Sequence, residues 1–348
     1  MQLTSEQQTA VDKIYKNLRS KKDFILSGYA GTGKTTVISE LISGLSNVAV
    51  CAPTGKAAQV LRSKGIHNAS TIHSLIYEKV SDDPLEFRRR DTLSYSAIII
   101  DEASMIDKDV LFDLQKYRRP ILFVGDGFQL PPVGQDAKIL SKPDYILETV
   151  HRTALDNPII KLATWLRGEK RHWCYFFDKH KNCDKLTFKR RTASIKFSFQ
   201  DFDQLIVGRN ETRSRMNRKI RQRLGFEHPY PQPGERVICL RNNKKLGVYN
   251  GQQFTVKSSR AGQYTLLDDE RQTVIVPIFE ELFLGQPIDR CPWNCIPFDF
   301  SYAITCHKSQ GSEWSSIFIQ DEAFGANPNQ WRYTAVTRAK QTATIYVP

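Results

Sequence analysis

The chain has 348 residues, 40% of them apolar and 25% charged, with a formal net charge of +13. Such a length suits about two domains of roughly 100–200 residues each, and no apolar run reaches the roughly 18 residues of a membrane span. An odd number of cysteines, seven, excludes a fully paired disulfide framework, and the polar opening MQLTSEQQTAV lacks the apolar stretch of a secretory leader. The expectation is an intracellular, cytoplasmic protein with no membrane partner.

Residues 23–27 read as a short apolar strand running into Gly28-Tyr29-Ala30-Gly31-Thr32-Gly33-Lys34-Thr35. Residues 35–45 have helical apolar spacing, 48–52 form a second strand and 55–62 a second helix. Two further apolar strands follow: 97–100 ends at Asp101, and 120–124 ends at Gly125-Asp126. Continuous apolar strands with polar residues at their C-terminal ends predict a parallel sheet buried on both faces, and ligands of such sheets sit at those ends. Beyond Thr149 come a strand at 204–208, a basic helix at 211–224 and a β-rich stretch at 236–277. The α/β order then returns, with strands at 301–305 and 315–320, a helix around 331–340 and a last strand at 342–347.

The positive charge is localised. Residues 1–150 carry 19 basic and 18 acidic side chains, whereas 161–225 alone carry 18 basic and 6 acidic. A polyanion such as nucleic acid is one natural partner for that asymmetry; a solvated basic face is the other reading. Cys291 and Cys295 have no second pair at metal-ligand spacing, which argues against zinc.

The glycine run matches G-x-x-x-x-G-K-[ST] between a predicted strand and a predicted helix, the context a phosphate-binding loop requires. Gly28, Gly31, Thr32 and Gly33 let backbone N–H groups approach phosphates at a helix N-terminus. Lys34 would neutralise the β- and γ-phosphates, and Thr35 would offer its hydroxyl to Mg²⁺; Thr36 completes the loop. Asp101-Glu102 after an apolar strand supplies a carboxylate for Mg²⁺ (Asp101) and a base for the attacking water (Glu102). An ATPase is therefore expected, with ATP and Mg²⁺ as cofactors.

The order of motifs resembles superfamily 1 helicases of the RecD/Dda-like, 5′→3′ branch, over nearly the whole chain. The matching runs are Leu3-Thr4-Ser5-Glu6-Gln7, Ala52-Pro53-Thr54-Gly55-Lys56-Ala57-Ala58, Ser70-Thr71-Ile72-His73-Ser74-Leu75, Asp101-Glu102-Ala103-Ser104-Met105 and Gly125-Asp126-Gly127-Phe128-Gln129-Leu130-Pro131-Pro132-Val133. In the second half they are Glu148-Thr149-Val150-His151-Arg152, Tyr302 through Glu313, and Tyr333-Thr334-Ala335-Val336-Thr337-Arg338-Ala339. The resemblance implies an α/β fold of two RecA-like P-loop domains with parallel sheets, residues 1–150 and 151–348. It places a short insertion at about 77–95 in the first and a small β-rich, barrel-like insertion at about 230–297 in the second. Gln7 would read the adenine edge, Gln129 would sense the γ-phosphate, Arg152 and Arg338 would reach it from the second domain, and Glu313 would join the nucleotide site.

The resemblance also implies strand contacts from Pro53, Thr54, Thr71, His73, Asn210, Thr305, His307 and Lys308, with Asn217 near the same path. Partners would be single-stranded DNA, forked or tailed duplex DNA, and replication or recombination proteins; the protein would act as a monomer. Residues 77–95 stand where the family carries its duplex-splitting pin, with room for one short hairpin. Residues 171–199, basic and aromatic, match nothing in the pattern. Two other classes share these motifs: a viral-type superfamily 1 RNA helicase, and an ATP-dependent clamp that does not unwind.

Overall fold

The computed structural model describes residues 3–82, 85–132, 135–150, 157–168, 176, 183–190, 202–243, 246–260, 262–268, 271–323 and 327–347. Arg152 lies outside them, as does most of 171–199. In chain order the first half comprises α1 (Ser5–Arg19), β1 (Phe24–Gly28), α2 (Lys34–Gly44), β2 (Val48–Ala52), α3 (Gly55–Ser63), β3 (Ser70–Thr71) and α4 (Ile72–Ile76). It continues with β4 (Tyr77–Asp82), β5 (Leu85–Arg89), β6 (Ala97–Ile100), α5 (Lys108–Gln115), β7 (Ile121–Gly125) and β8 (Tyr145–Leu147).

Six of these strands form a parallel sheet in the order β3-β2-β6-β7-β1-β8. β2, β6 and β7 are buried at every position, as their unbroken apolar runs require. One face of the sheet (Leu26, Val50, Ile99, Leu122, Val124) packs on α1, α2 and α3 through Ile14, Ile38, Leu41 and Leu61. The other face (Ala49, Cys51, Ile98, Ile100, Phe123) packs on α4 and α5 through Ile72, Leu75, Val110 and Leu114. The two sides alternate residue by residue because strand side chains have a period of two. β4 and β5 form a separate two-stranded antiparallel hairpin, short as the sequence requires. Its base is anchored by Tyr117, whose hydroxyl shares its one proton between the carbonyls of Ile76 and Arg90, at 2.9 and 2.8 Å.

The second half comprises α6 (Pro158–Gly168), β9 (Leu186–Arg190), β10 (Gln204–Val207), α7 (Asn210–Arg223), β11 (Arg236–Cys239), β12 (Gln253–Arg260), β13 (Gln263–Leu267), β14 (Thr273–Pro277), β15 (Phe298–Phe300), β16 (Ala303–Thr305), β17 (Trp314–Gln320), α8 (Pro328–Val336) and β18 (Ala339–Val347). A second parallel sheet runs β16-β10-β17-β18-β9. β11 to β15 form an antiparallel sheet of their own, in the order β14-β13-β12-β11-β15.

Two differences from the sequence reading concern element boundaries. β9 lies inside the stretch that matched no pattern and supplies the edge of the second sheet, pairing Leu186–Arg190 with Ala343–Val347. α8 starts at Pro328 and ends at Val336, because Asn327 caps its N-terminus and β18 begins only three residues later, at Ala339.

Candidate active site

The site assembles at the C-terminal edge of the first sheet. β1 ends in Gly28, where a side chain would meet Thr32 Oγ1 at 2.8 Å and Lys34 Cγ at 3.1 Å, so only glycine lets the loop fold back this tightly. Gly31 and Gly33 both take φ of 80°, a conformation that side chains disfavour. Gly33 thereby turns the chain so that α2 starts at Lys34. The Lys34 ammonium sits within the loop, donating to the carbonyls of Gly28 (2.7 Å) and Tyr29 (3.0 Å).

Gln7 approaches from α1. Thr4 and Gln7 form a reciprocal cap at the start of that helix, and the Gln7 amide nitrogen donates to Thr32 O at 3.1 Å. Gln7 is thus buried against the loop, with both ends of its amide engaged inside the chain.

Asp101 and Glu102 lie where β6 ends, two strands from β1. Glu102 adopts φ of 55°, a left-handed conformation costing a residue with a side chain about 1–2 kcal/mol. Its N–H is held by Asp101 Oδ1 at 3.0 Å and its carbonyl by Met105 N at 3.1 Å. Glu102 Oε2 and, on the loop after β7, Gln129 Oε1 are buried polar atoms without a hydrogen-bond partner. Burial and then the neighbouring Asp101 raise the Glu102 pKa, while Arg338 and Lys34 pull it down. Burial likewise raises Asp101, opposed by Lys34, the Glu102 N–H and Lys64.

These residues fit a hard dication. Lys64, which caps the C-terminus of α3, places its ammonium 3.5 Å from Thr35 Oγ1 and its charge acts on the Asp101 carboxyl, so a positive charge already stands near both oxygen donors.

Arg338 comes from the opposite half and is almost wholly buried, at 4% exposure. Its guanidinium donates to Thr334 O (3.0 Å), Ser312 O (3.2 Å) and Thr337 Oγ1 (3.1 Å), within range for its charge to act on Glu102. The structure therefore brings Lys34, Asp101, Glu102, Gln129 and Arg338 into one cleft. Glu313 instead stands exposed, its carboxylate 4.0 Å from Lys340.

The residues expected to meet a strand gather further along the same edges. Ala52 pairs with Thr71 in register, so Pro53-Thr54 and Thr71-Ile72-His73 leave the sheet side by side. Pro53-Thr54 follow β2, three strand spacings from β1 (about 14 Å), and Thr71-Ile72-His73 follow β3, one spacing further out (about 19 Å). Thr54 and Thr71 cap α3 and α4, and Thr71 is buried, whereas His73 is exposed. Across the cleft, Val207 pairs with Thr305, which puts Asn210 at the start of α7 beside Thr305, His307 and Lys308. The two sets meet at Gly311, where an added side chain would stand 3.0 Å from Ala57 and 3.5 Å from the Thr54 hydroxyl.

Asn217, expected near this path, is instead structural. It is buried and binds Phe300 O, Ala303 O and Ala303 N, because a fixed amide can satisfy three backbone groups between a helix and a strand end. Phe128 packs edge-on against Tyr333, with ring centroids 5.2 Å apart. Four cleft residues were not singled out from sequence: Asp126, Tyr333 and Thr334, which sit inside matched runs, and Arg167 at the end of α6.

A family profile described as an AAA domain matches residues 7–135, and one described as a UvrD-like helicase C-terminal domain matches 300–346. The ATP-dependent RecD2 DNA helicase of Deinococcus radiodurans is 27% identical over 97% of this chain and 48% of its own length. The ATP-dependent DNA helicase Dda of Enterobacteria phage T4 is 31% identical over 51% of this chain and 45% of its own. This chain is related to the superfamily 1 helicases of the RecD/Dda-like branch. It spans about half the length of those two relatives.

The fold is that of two RecA-like domains. A Bacteroides Pif1 helicase in complex with ADP-AlF3 and single-stranded DNA superposes with a TM-score of 0.70 at 21% identity, covering 100% of this chain and 95% of that one. The Candida albicans Pif1 helicase gives 0.62 at 16% identity, over 99% and 94%. Among the described residues no helix is long and apolar enough to cross a membrane.

Proposed function

We propose that the chain is a DNA-stimulated ATP hydrolase that couples hydrolysis in the cleft between residues 1–150 and 151–348 to 5′→3′ movement on single-stranded DNA and to duplex unwinding. The observation that carries the reading is the convergence of Lys34, Glu102 and Gln129 from one sheet with buried Arg338 from the other half. Glu102 takes the proton of the attacking water, Gln129 senses the γ-phosphate, and Arg338, with Arg152, stabilises charge on the transferred group. Lys34, Gly28, Gly31, Thr32, Gly33 and Thr36 cradle the phosphates, while Gln7 and Glu313 act at the edge of the nucleotide site. Thr35 and Asp101 would hold Mg²⁺, which neutralises charge on the phosphates. Because Arg338 belongs to the second half, closure of the cleft and hydrolysis are linked, and alternating grips by the two halves move the protein along a strand.

The strand runs over Pro53, Thr54, Thr71 and His73 on one side and Asn210, Thr305, His307 and Lys308 on the other. The protein works inside the cell as a monomer, on forked or tailed DNA, alongside replication or recombination proteins. Relatedness to enzymes named as DNA helicases supports this over the RNA and clamp readings. The decisive test is a pair of oppositely tailed DNA duplexes. The 5′-tailed one should be unwound and the 3′-tailed one not, with hydrolysis stimulated more by single-stranded DNA than by RNA. Stimulated hydrolysis without unwinding of either duplex would favour a clamp.

Lys308 adds a pH signature. Burial, and then the charge of Arg213, lower its pKa to about 8, against the opposing pull of Asp299 and Cys239. In the free protein the ammonium is present below that value and lost above it. A DNA phosphate favours the charged form, so binding takes up a proton at alkaline pH and weakens as pH rises. Between pH 7 and 9 the affinity for single-stranded DNA should fall about tenfold. Lys308→Arg, whose charge does not titrate, should flatten that profile; an unchanged profile in the variant would remove Lys308 from the interface.

A further inference from the structure

The P-loop and the loop after β7 are gripped directly by the second half of the chain. The Tyr333 hydroxyl on α8 accepts from the P-loop N–H of Ala30 at 3.0 Å and donates to the Asp126 carboxylate at 2.5 Å. Tyr333 and Asp126 are 1% and 0% exposed, so water has no access to this hydroxyl bridge. Asp126 passes the contact on: its other carboxylate oxygen accepts Phe128 N–H at 3.0 Å, and its carbonyl accepts Gln129 N–H at 3.1 Å.

The adjacent residue grips the far end of the same loop. Thr334 Oγ1 accepts Leu130 N–H at 2.9 Å, while the Thr334 carbonyl accepts Arg338 Nε at 3.0 Å. Gln310 adds a bond to Leu130 O at 2.7 Å. A second prong comes from α6, which packs on α8 through Asn329 and Leu166: the Arg167 guanidinium lies 3.3 Å from the centre of the Tyr29 ring. The first two variable residues of the P-loop, Tyr29 and Ala30, are thus both held from across the cleft.

We propose that Tyr333 is a positioning residue for hydrolysis, one hydroxyl setting the P-loop and the Gln129 loop at fixed distance from the helix that delivers Arg338. The proposal rests on the assignment of Gln129 and Arg338 to ATP hydrolysis. Bonds run without a break from Ala30 through Tyr333 to Asp126 and Gln129, and from Leu130 through Thr334 to Arg338. Burial and the facing Asp126 push the phenol pKa up, and the Ala30 N–H and then Arg167 oppose this only in part, so the hydroxyl keeps the proton it donates. Tyr333→Phe preserves the ring and its contact with Phe128 but leaves Ala30 N–H and an Asp126 oxygen buried without partners, freeing the two halves to shift.

The test is ATP hydrolysis in single turnover and steady state, with single-stranded DNA, for wild type, Tyr333→Phe, Arg338→Ala and the double variant. Loss of positioning predicts a kcat about ten- to a hundredfold lower in Tyr333→Phe, with the ATP KM changed by less than about threefold. It also predicts that the double variant is no slower than Arg338→Ala alone, since positioning an absent arginine has no value. Thr334→Val, which breaks the Leu130 bond instead, should show the same pattern and decides the matter if Tyr333→Phe does not fold. Wild-type kcat in the single variants, or multiplicative losses in the double one, would overturn the positioning role. An inactive wild-type protein would overturn the proposed function itself.

Discussion

Glu102→Gln should leave a protein that binds ATP and scarcely hydrolyses it. The carboxylate sits on a left-handed residue, φ 55°, with one buried oxygen lacking a partner. That strain and that unsatisfied atom have no stabilising return in the fold, which is how a group aimed at a reaction is recognised. Glutamine keeps the size and the strained backbone but cannot accept a proton. A general base contributes about 10²–10⁴-fold, so kcat should fall by that amount. On the proposed assignment the phosphates would be held by the loop amides and Lys34, and Mg²⁺ by Thr35 and Asp101, none of which the substitution touches. The ATP dissociation constant, read by titration with a fluorescent nucleotide, should therefore move by less than about threefold. Phosphate release near the wild-type rate would sink the assignment of the base.

The sheet and its loops were legible because their signals are local. Val48–Ala52 is apolar throughout and buried throughout, and the glycine loop makes its turn, with Gly31 and Gly33 at φ of 80°, within eight consecutive residues. Asp101-Glu102 could be read because an apolar strand precedes it. What sequence could not give is which polar groups meet across the cleft. Tyr333 reaches Ala30 over 303 residues and Asp126 over 207, and a tyrosine in a matched run does not announce its partners.

Asn217 erred in the opposite sense: a polar residue on a basic helix reads as solvent-facing or strand-facing, yet its amide closes three backbone bonds in the core. β9 escaped because its five residues, Leu-Thr-Phe-Lys-Arg, alternate apolar and polar only once before turning basic. Its partner, Ala343–Val347, lies more than 150 positions away. Glu102 was assigned by its place after β6; its backbone conformation follows from the turn to Met105, which no single-residue preference predicts.

Arg338→Ala should cost nearly as much as loss of the base, for an electrostatic reason. An arginine delivered to the γ-phosphate is worth about 10³–10⁵-fold in P-loop enzymes, and kcat should fall by about 10³-fold at least. Three bonds fix the guanidinium, to the carbonyls of Thr334 and Ser312 and the Thr337 hydroxyl, so its geometry is set before any nucleotide enters. Because that order is already in place, the charge would stabilise the transferring phosphoryl group without reorganisation. Arg338→Lys keeps the charge but cannot make the three bonds with one compact ammonium; it should recover little of the rate. The pair of variants separates the catalytic part from folding: thermal unfolding detects the loss of buried bonds in both, whereas the kcat of Arg338→Lys reads placement of charge. Substantial rescue by lysine would mean that charge alone, and not a fork held in place by Thr334 and Ser312, is what the cleft requires. Stimulation by single-stranded DNA should vanish in both variants, since closure then brings no ordered arginine to the phosphate.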